Sequence, residues 1–337
     1  MDGSKEITMQ QDGSKRKYLI WAAGLCGAIA LVLPALHLPL VEYVMSVLTF
    51  AFIYTLLGQS WNLLGGLAKQ FSLGHAAFFG LGAFATAFLC SLGLPALVAL
   101  ALAGLIVAVI SLPLGLICFS TRGPFFTIIT LAIAEILRIV FLWRPELSGS
   151  EGIIVPNNIF SGKVGIYYLT LVAVAASIAV TYWLARSSHG LALMAIGDDE
   201  EASAEIGIKV RNTKSSTLLI SASIAAIAGG CYGLSTQYLS PNDVFSINFS
   251  LDAIFVSVIG GLGNPFGPLV GALLFSILEE TIDPLLPDAH LLVLGVILLA
   301  IMFLLPRGLV TLFTRSGREG SQGMGFKIRR RQPGSAH

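Results

Sequence analysis

The chain is built from apolar runs long enough to cross a bilayer, and this constrains its fold more than any other feature. A helix that spans the hydrocarbon core needs about 20 mostly apolar residues. Runs of that kind cover residues 18–36, 43–66, 71–92, 96–119, 124–143, 167–185, 215–236, 251–280 and 290–305. Of the 337 residues, 55% are hydrophobic and only 12% are charged. A soluble domain carries about 25% charged residues, so too few charges remain here to cover a water-facing surface. The pattern predicts an all-α fold, a polytopic transmembrane helical bundle of about 8–10 spans.

Charge placement sets the expected orientation. Lys5, Lys15, Arg16 and Lys17 precede the first run, and Arg315, Arg318, Lys327, Arg329, Arg330 and Arg331 follow the last. Lys and Arg beside apolar spans stay cytoplasmic, so both termini are expected inside. The chain then divides into a cytoplasmic N-terminal tail (1–17), a transmembrane domain (18–306) and a basic cytoplasmic C-terminal tail (307–337). Clustered basic charge of this kind is attracted to anionic membrane lipid, a better fit than nucleic acid. The run at 18–36 is longer than a signal-peptide core and lacks a cleavage site, which makes it a retained first helix. Threaded from inside, the chain places 144–166 and 237–250 outside and 186–214 inside as a long loop. Cys26, Cys90, Cys118 and Cys231 lie singly in apolar segments, without metal-ligand or disulfide spacing.

One run cannot be a smooth helix. At the middle of 251–280 stand Gly260, Gly261, Leu262, Gly263, Asn264, Pro265, Phe266, Gly267 and Pro268. Proline removes a backbone donor and glycine loosens the chain. A re-entrant or broken-helix segment with two short arms is expected, against the simpler reading of a tight cytoplasmic turn between two helices. Irregular backbone at membrane depth survives only where protein or a water-filled cavity satisfies it. Small residues at fourfold spacing, Gly263–Gly267–Gly271 and Ser72–Ala76–Gly80, are candidate close-packing ridges.

Polar residues inside the runs are the other informative positions. Glu135 and Arg138 stand three apart, share a helix face and can pair. Each alone costs about 2.5–3.5 kcal/mol at the centre of a span. The pair reads either as a gate or solute contact, or as a structural ion pair between helices. Asn62 and His75 can hydrogen-bond across helices, and Asp252 either caps a helix or faces the interior. The candidate translocation path or gate therefore comprises Asn62, Ser72, His75, Glu135, Arg138, Asp252, Gly261 and Gly263.

The loop 186–214 is the most polar stretch between the runs. Asp198, Asp199, Glu200 and Glu201 stand at the start of a short helix, where the positive end of the dipole favours carboxylates. Ala202 and Glu205 continue it and Gly207 ends it. A short amphipathic helix held between two spans is a lever that a soluble partner can grip. No Gly-x4-Gly-Lys-Ser/Thr or Gly-x-Gly-x-x-Gly phosphate loop is present, nor a nucleophile elbow or His-Glu-x-x-His zinc motif. The expectation is a chain with no catalytic residues, no metal site and no cofactor of its own, driven by ATP only through another subunit.

Several runs of residues resemble a known family. Phe71-Ser72-Leu73-Gly74-His75-Ala76-Ala77-Phe78-Phe79-Gly80, Thr121-Arg122-Gly123-Pro124-Phe125-Phe126 and Ala134-Glu135-Ile136-Leu137-Arg138 occur in order. Ser148-Gly149-Ser150-Glu151-Gly152-Ile153, the Gly260–Pro268 stretch and Pro306-Arg307-Gly308-Leu309 follow them. Together they are similar to the inner-membrane permeases of branched-chain amino acid ABC importers, the LivM type, over roughly 43–310. Glu201-Ala202-Ser203, with Gly207 four residues on, resembles the Glu-Ala-Ala-x3-Gly coupling motif of ABC permeases, with serine for the second alanine. The resemblance implies a permease domain over 18–306 and an ATPase-coupling site at Asp198, Glu200, Glu201, Ala202, Glu205 and Gly207. It also implies a second permease of the LivH type, two ATPase subunits that carry the ATP and Mg, and a periplasmic solute-binding protein. The implied place is the bacterial inner membrane, and the implied solutes are leucine, isoleucine and valine. Urea or short amides are the alternative within the family, and an ion-coupled secondary transporter is the alternative outside it.

Overall fold

The computed structural model describes residues 39–121, 123–144, 152–156, 162–282, 290–304 and 308–310. The expected first span at 18–36, the N-terminal tail, all of the C-terminal tail but 308–310, and much of the 144–166 loop lie outside the described residues. The described chain is a helical bundle. Its elements are α1 (Pro39–Trp61) running into a π-helical turn (Asn62–Leu67), α2 (His75–Ser91), α3 (Ala96–Cys118), α4 (Pro124–Trp143) and α5 (Lys163–Arg186). Then come α6 (Ser188–Asp198), α7 (Glu200–Glu205), α8 (Val210–Thr236), α9 (Pro241–Val244), α10 (Ile247–Gly260), α11 (Gly267–Ile282) and α12 (His290–Leu304). The only sheet among the described residues is a two-residue ribbon pairing β1 (Ile153–Ile154) with β2 (Tyr238–Leu239). Among the described residues, six helical stretches are long and apolar enough to cross a membrane: Val41–Leu67, Ala96–Cys118, Pro124–Trp143, Lys163–Arg186, Val210–Thr236 and Pro241–Gly260. This is the all-α polytopic bundle that the apolar runs predict.

Helix α8 is the axis of the packing. It lies along α2, α3 and α1, while α1 also packs on α5, α10 and α11. Lipid tails are as apolar as leucine, so association rests on close contact and interhelical hydrogen bonds rather than on a hydrophobic gradient. At the α2–α8 crossing, a Cβ on Gly229 would stand 1.9 Å from the carbonyl oxygen of Phe79, and one on Gly82 would stand 2.2 Å from that of Ala226. Only glycine on both helices lets these backbones touch. Hydrogen bonds add direction: Ser223 Oγ donates to Gly104 O at 2.9 Å, joining α8 to α3, and Ser257 Oγ donates to Gly58 O at 2.9 Å, joining α10 to α1. Helix α4 stands apart at the periphery and turns Phe125, Ile128, Ile136 and Ile139 outward, as a lipid-facing helix would.

The structure differs from the sequence reading at particular places. The run 71–92 becomes a helix only from His75, because residues 68–74 are non-helical and Lys69 takes φ 51°. Ser72 therefore lies outside any helix, and the expected ridge Ser72–Ala76–Gly80 does not exist as a ridge. The run 251–280, unlike these departures, is broken as its glycines and prolines predict, into a helical hairpin of α10 and α11 joined by a turn over 261–266. Its arms touch closely, since a Cβ on Gly271 would stand 1.9 Å from Val256 O. Asp252 does not cap α10. Ser246 does so, accepting from Asn248 N at 3.3 Å. The 186–214 segment is mostly helical rather than a loop.

The α2–α8 crossing yields the first prediction. Gly229→Ala should destabilise the protein by about 1–3 kcal/mol, the usual range for an overpacked core. The check is thermal denaturation in detergent beside Ile128→Ala on the outer face of α4, which should leave the midpoint unmoved. Equal midpoints for the two variants would contradict the packing described.

Candidate functional site

The first element of the site is an elbow formed by α6 and α7. Asp199 ends α6 in extended backbone and caps α7, its Oδ1 accepting from Glu201 N and Ala202 N at 3.0 Å each. The acidic cluster thus breaks the segment into two helices. Helix α7 ends in a paired closure: Gly207 N donates to Ala204 O at 3.0 Å and Ile208 N to Ser203 O at 3.1 Å. Gly207 takes φ 91°, a conformation that favours glycine. Two of the expected coupling residues hold the elbow in place. Glu200 pairs with Lys214 of α8 at 2.6 Å, with the Lys214 side chain only 3% exposed, and Asp198 meets Lys69 at 2.7 Å. The second pair is exposed at both ends and contributes about 0–1 kcal/mol. His189 in α6 adds a third pin, its Nε2 2.9 Å from Thr217 Oγ1, and burial lowers its pKa, so it stays neutral near pH 7. Ala202, Glu205, Ile206 and Gly207 face outward, with Ile206 76% exposed. Sequence reading did not anticipate the Lys214 and His189 anchors, because nothing local distinguishes them.

The second element is a buried brace that holds irregular backbone. Segment 68–74 folds back so that α2 begins inside the bundle, with His75 wholly buried. Trp61 Nε1 donates to Ser72 O at 2.9 Å, and Thr127 Oγ1 donates to Phe71 O at 2.7 Å. Leu73 N donates to Thr130 Oγ1 at 3.1 Å. Ser250 Oγ donates to Leu73 O at 2.8 Å and accepts from Ala76 N at 2.9 Å. Ser221 Oγ gives its proton to Ser60 O at 2.6 Å, so it accepts from His75 Nε2 at 3.1 Å, which fixes the histidine's tautomer. Asn62 reads the hairpin turn from both sides: its Oδ1 accepts from Gly263 N at 2.8 Å and its Nδ2 donates to Asn264 O at 3.1 Å. Gln59 Nε2 donates to Pro265 O. Gly261 and Gly263 both take positive φ in that turn, and Leu309 N donates to Ile259 O at 2.9 Å beside it. Asn62, Ser72 and His75 are therefore buried in the bundle and bonded to it, and none of them lines the acidic cavity described next.

The third element is an acidic cavity at the end of the bundle away from the elbow. It occupies about 310 Å³ between α1, α8, α9, α10 and α11, and a neighbouring chamber of about 300 Å³ shares Tyr54, Tyr232, Phe249 and Glu279 with it. Asp252 is the one expected path residue that lines it. Glu135 and Arg138 do pair, Arg138 Nε donating to Glu135 Oε2 at 2.9 Å. Arg138 Nη1 also donates to Asn242 Oδ1 at 2.6 Å, and Asn242 lines the cavity. The pair thus ties α4 to the cavity rim. Tyr54 OH donates to Glu279 Oε1 at 3.1 Å and Tyr43 OH to Glu280 Oε1 at 2.6 Å. Sequence reading missed Glu279 and Glu280, which stand at the end of a run where terminal charges look like a solvated boundary.

A bundle of membrane-crossing helices with a braced surface elbow at one end and a polar cavity at the other is the architecture of a transport subunit. The family described as "Branched-chain amino acid transport system / permease component" matches residues 43–302. The "High-affinity branched-chain amino acid transport system permease protein LivM" of Escherichia coli (strain K12) is 27% identical over 92% of this chain and 79% of its own length. "Fructose import permease protein FruG" of Bifidobacterium longum is 28% identical over 39% of this chain and 38% of its own. "High-affinity branched-chain amino acid transport system permease protein LivH" of Salmonella typhimurium is 24% identical over 49% of this chain and 54% of its own. No solved structure gives a significant match. The chain belongs to the permease-component family of branched-chain amino acid transport systems, as its motifs predict, and is a multi-pass permease subunit of an ATP-binding-cassette importer.

The elbow anchors generate the second prediction. Lys214→Gln leaves the Glu200 carboxylate without its cation, a change that costs about 3–5 kcal/mol when both groups are fully buried. Glu200 keeps partial access to water, so a smaller loss is expected, concentrated in α7. Amide hydrogen exchange across 200–207 should quicken while that of α2 is unchanged. Unaltered exchange in α7 would show that the pair does not hold the elbow.

Proposed function

We propose that this chain forms half of the translocation path of an ATP-driven importer for branched-chain amino acids in a bacterial inner membrane. A second permease of the LivH type supplies the other half, and two ATPase subunits bind the ATP and Mg. A periplasmic binding protein delivers leucine, isoleucine or valine to the cavity end. In this reading both termini and the elbow are cytoplasmic, and the basic tail rests on lipid. The observation that carries the proposal is the elbow itself: an exposed helix, α7, closed by Gly207 and joined through the largely buried Lys214–Glu200 pair to α8, the axis of the bundle. A force applied to α7 has a stiff route into the membrane.

The mechanism follows from that route. Closure of the ATPases moves α6 and α7, and α8 carries the movement to the His75–Ser221–Ser60 contact at the buried start of α2. There the hairpin turn, α1 and α2 are all joined by hydrogen bonds, so the helices shift together and not singly. Glu201, Ala202 and Glu205 provide the surface the ATPase grips.

Proteoliposomes test this directly. Labelled leucine should enter only when both permeases, the ATPases, the binding protein and ATP are all present, and uptake by this chain alone would contradict the proposal. Gly207→Val forces a branched side chain into positive φ, a strain of about 1–3 kcal/mol. It should lower uptake about tenfold while the complex still inserts and hydrolyses ATP. Undiminished uptake by that variant would remove α7 from the coupling role.

A further inference from the structure

The acidic cavity has a composition that bracing alone does not require. Asp243, Asp252, Glu279 and Glu280 line its two chambers, and among the described residues no Lys or Arg does. Asp252 is 8% exposed and has no hydrogen-bond partner among the described residues. Ser276 Oγ, in the adjoining chamber, is likewise buried without a partner. Buried polar groups are nearly always satisfied, and the exceptions call for an absent ligand, ion or water. The rest of the lining is mixed: Asn242, Ser246, Asn248 and Ser276 are polar, while the aromatic Tyr54, Tyr232 and Phe249 belong to both chambers. Aromatic faces attract cations, most strongly where water is sparse. The volume sits at the lower end of the ~300–1,000 Å³ typical of small-molecule pockets.

We propose that this cavity is a station on the path where Asp252 and Glu279 hold the solute's ammonium group while the aromatic walls receive its apolar side chain. The inference rests on the importer reading and adds to it the part of the solute this subunit recognises. An ammonium group brings three N–H donors and a positive charge, which is what an unpartnered carboxylate beside a second carboxylate lacks. The solute's own carboxylate would be repelled here, so it must point away from this wall, toward the opening. A neutral sugar would gain hydrogen bonds but would leave the excess negative charge uncompensated.

The experiment uses the whole transporter in proteoliposomes with labelled leucine presented by the binding protein. Asp252→Asn should lower the initial uptake rate about tenfold or more, the loss expected when a charge-assisted contact becomes a neutral one. Asp252→Glu should retain most of the uptake, and ATP hydrolysis stimulated by the binding protein should persist in both. Ser276→Cys, with the four native cysteines replaced, gives a readout that needs no transport. A cationic methanethiosulfonate should react with it about tenfold or more faster than an anionic one, and Asp252→Asn with Glu279→Gln should collapse that ratio. Uptake by Asp252→Asn equal to wild type, or equal rates for the two reagents, overturns the inference. In either case ATP-dependent uptake by the wild type leaves the importer reading standing, whereas its absence defeats that reading first.

Discussion

A backbone amide inside a bilayer has no water to bond, so every departure from helix at membrane depth must be repaired by the protein itself. Among the described residues the chain departs from helix within the bundle at 68–74 and at 261–266, and the repairs define its interior. Trp61, Thr127, Thr130 and Ser250 take up the polar groups of the first break. Asn62 and Gln59 take up those of the second. Because Trp61, Asn62 and Gln59 are neighbours at the end of one helix, both breaks hang from the same point. The hairpin, the buried start of α2 and the end of α1 are one mechanical unit.

That unit lies between two surfaces of different character. On one side stands an elbow whose ionic anchors tie it to α8 and to the start of the first break. On the other stands a cavity whose rim is reached by Arg138 through Asn242 and whose wall carries Asp252. Helix α10 joins the two breaks to the cavity: Ser250 bonds the first break, Asp252 faces the cavity, and Ser257 bonds α1 one turn from the second break. A displacement at the elbow therefore need not travel through a chain of loose side chains. It moves helices that share buried hydrogen bonds, and breaking any one of those in lipid would leave a polar group stranded.

The sequence made the bundle legible because twenty-residue apolar runs have few other uses, and the break at Gly260–Pro268 was legible because glycine and proline declare it. The start of α2 was not. Residues 71–74 continue an apolar run, and partners outside the segment, Trp61, Thr127, Thr130 and Ser250, bond its backbone groups out of helix. The elbow's helix was visible in its carboxylates, but which of them face outward was not, since Glu200 is turned inward by Lys214 while Asp198 stays exposed beside Lys69. Asp252 was singled out by its cost in an apolar run, and the cavity it lines was hidden because its other carboxylates come from α9 and the end of α11. Glycines 82 and 229 gave no local signal either, for their role exists only where two helices cross.

The claim on which the account turns is that the outward face of α7 is where an ATP-hydrolysing subunit takes hold. A single cysteine at Glu205, in the assembled transporter and without other reactive thiols, puts this to a cross-linking measurement with a short bifunctional reagent. The account predicts a covalent product with the ATPase subunit whose yield changes when ATP is added, and none from a cysteine at Ile128 on the lipid face of α4. A transporter that imports solute yet gives no ATPase product from position 205 would contradict it.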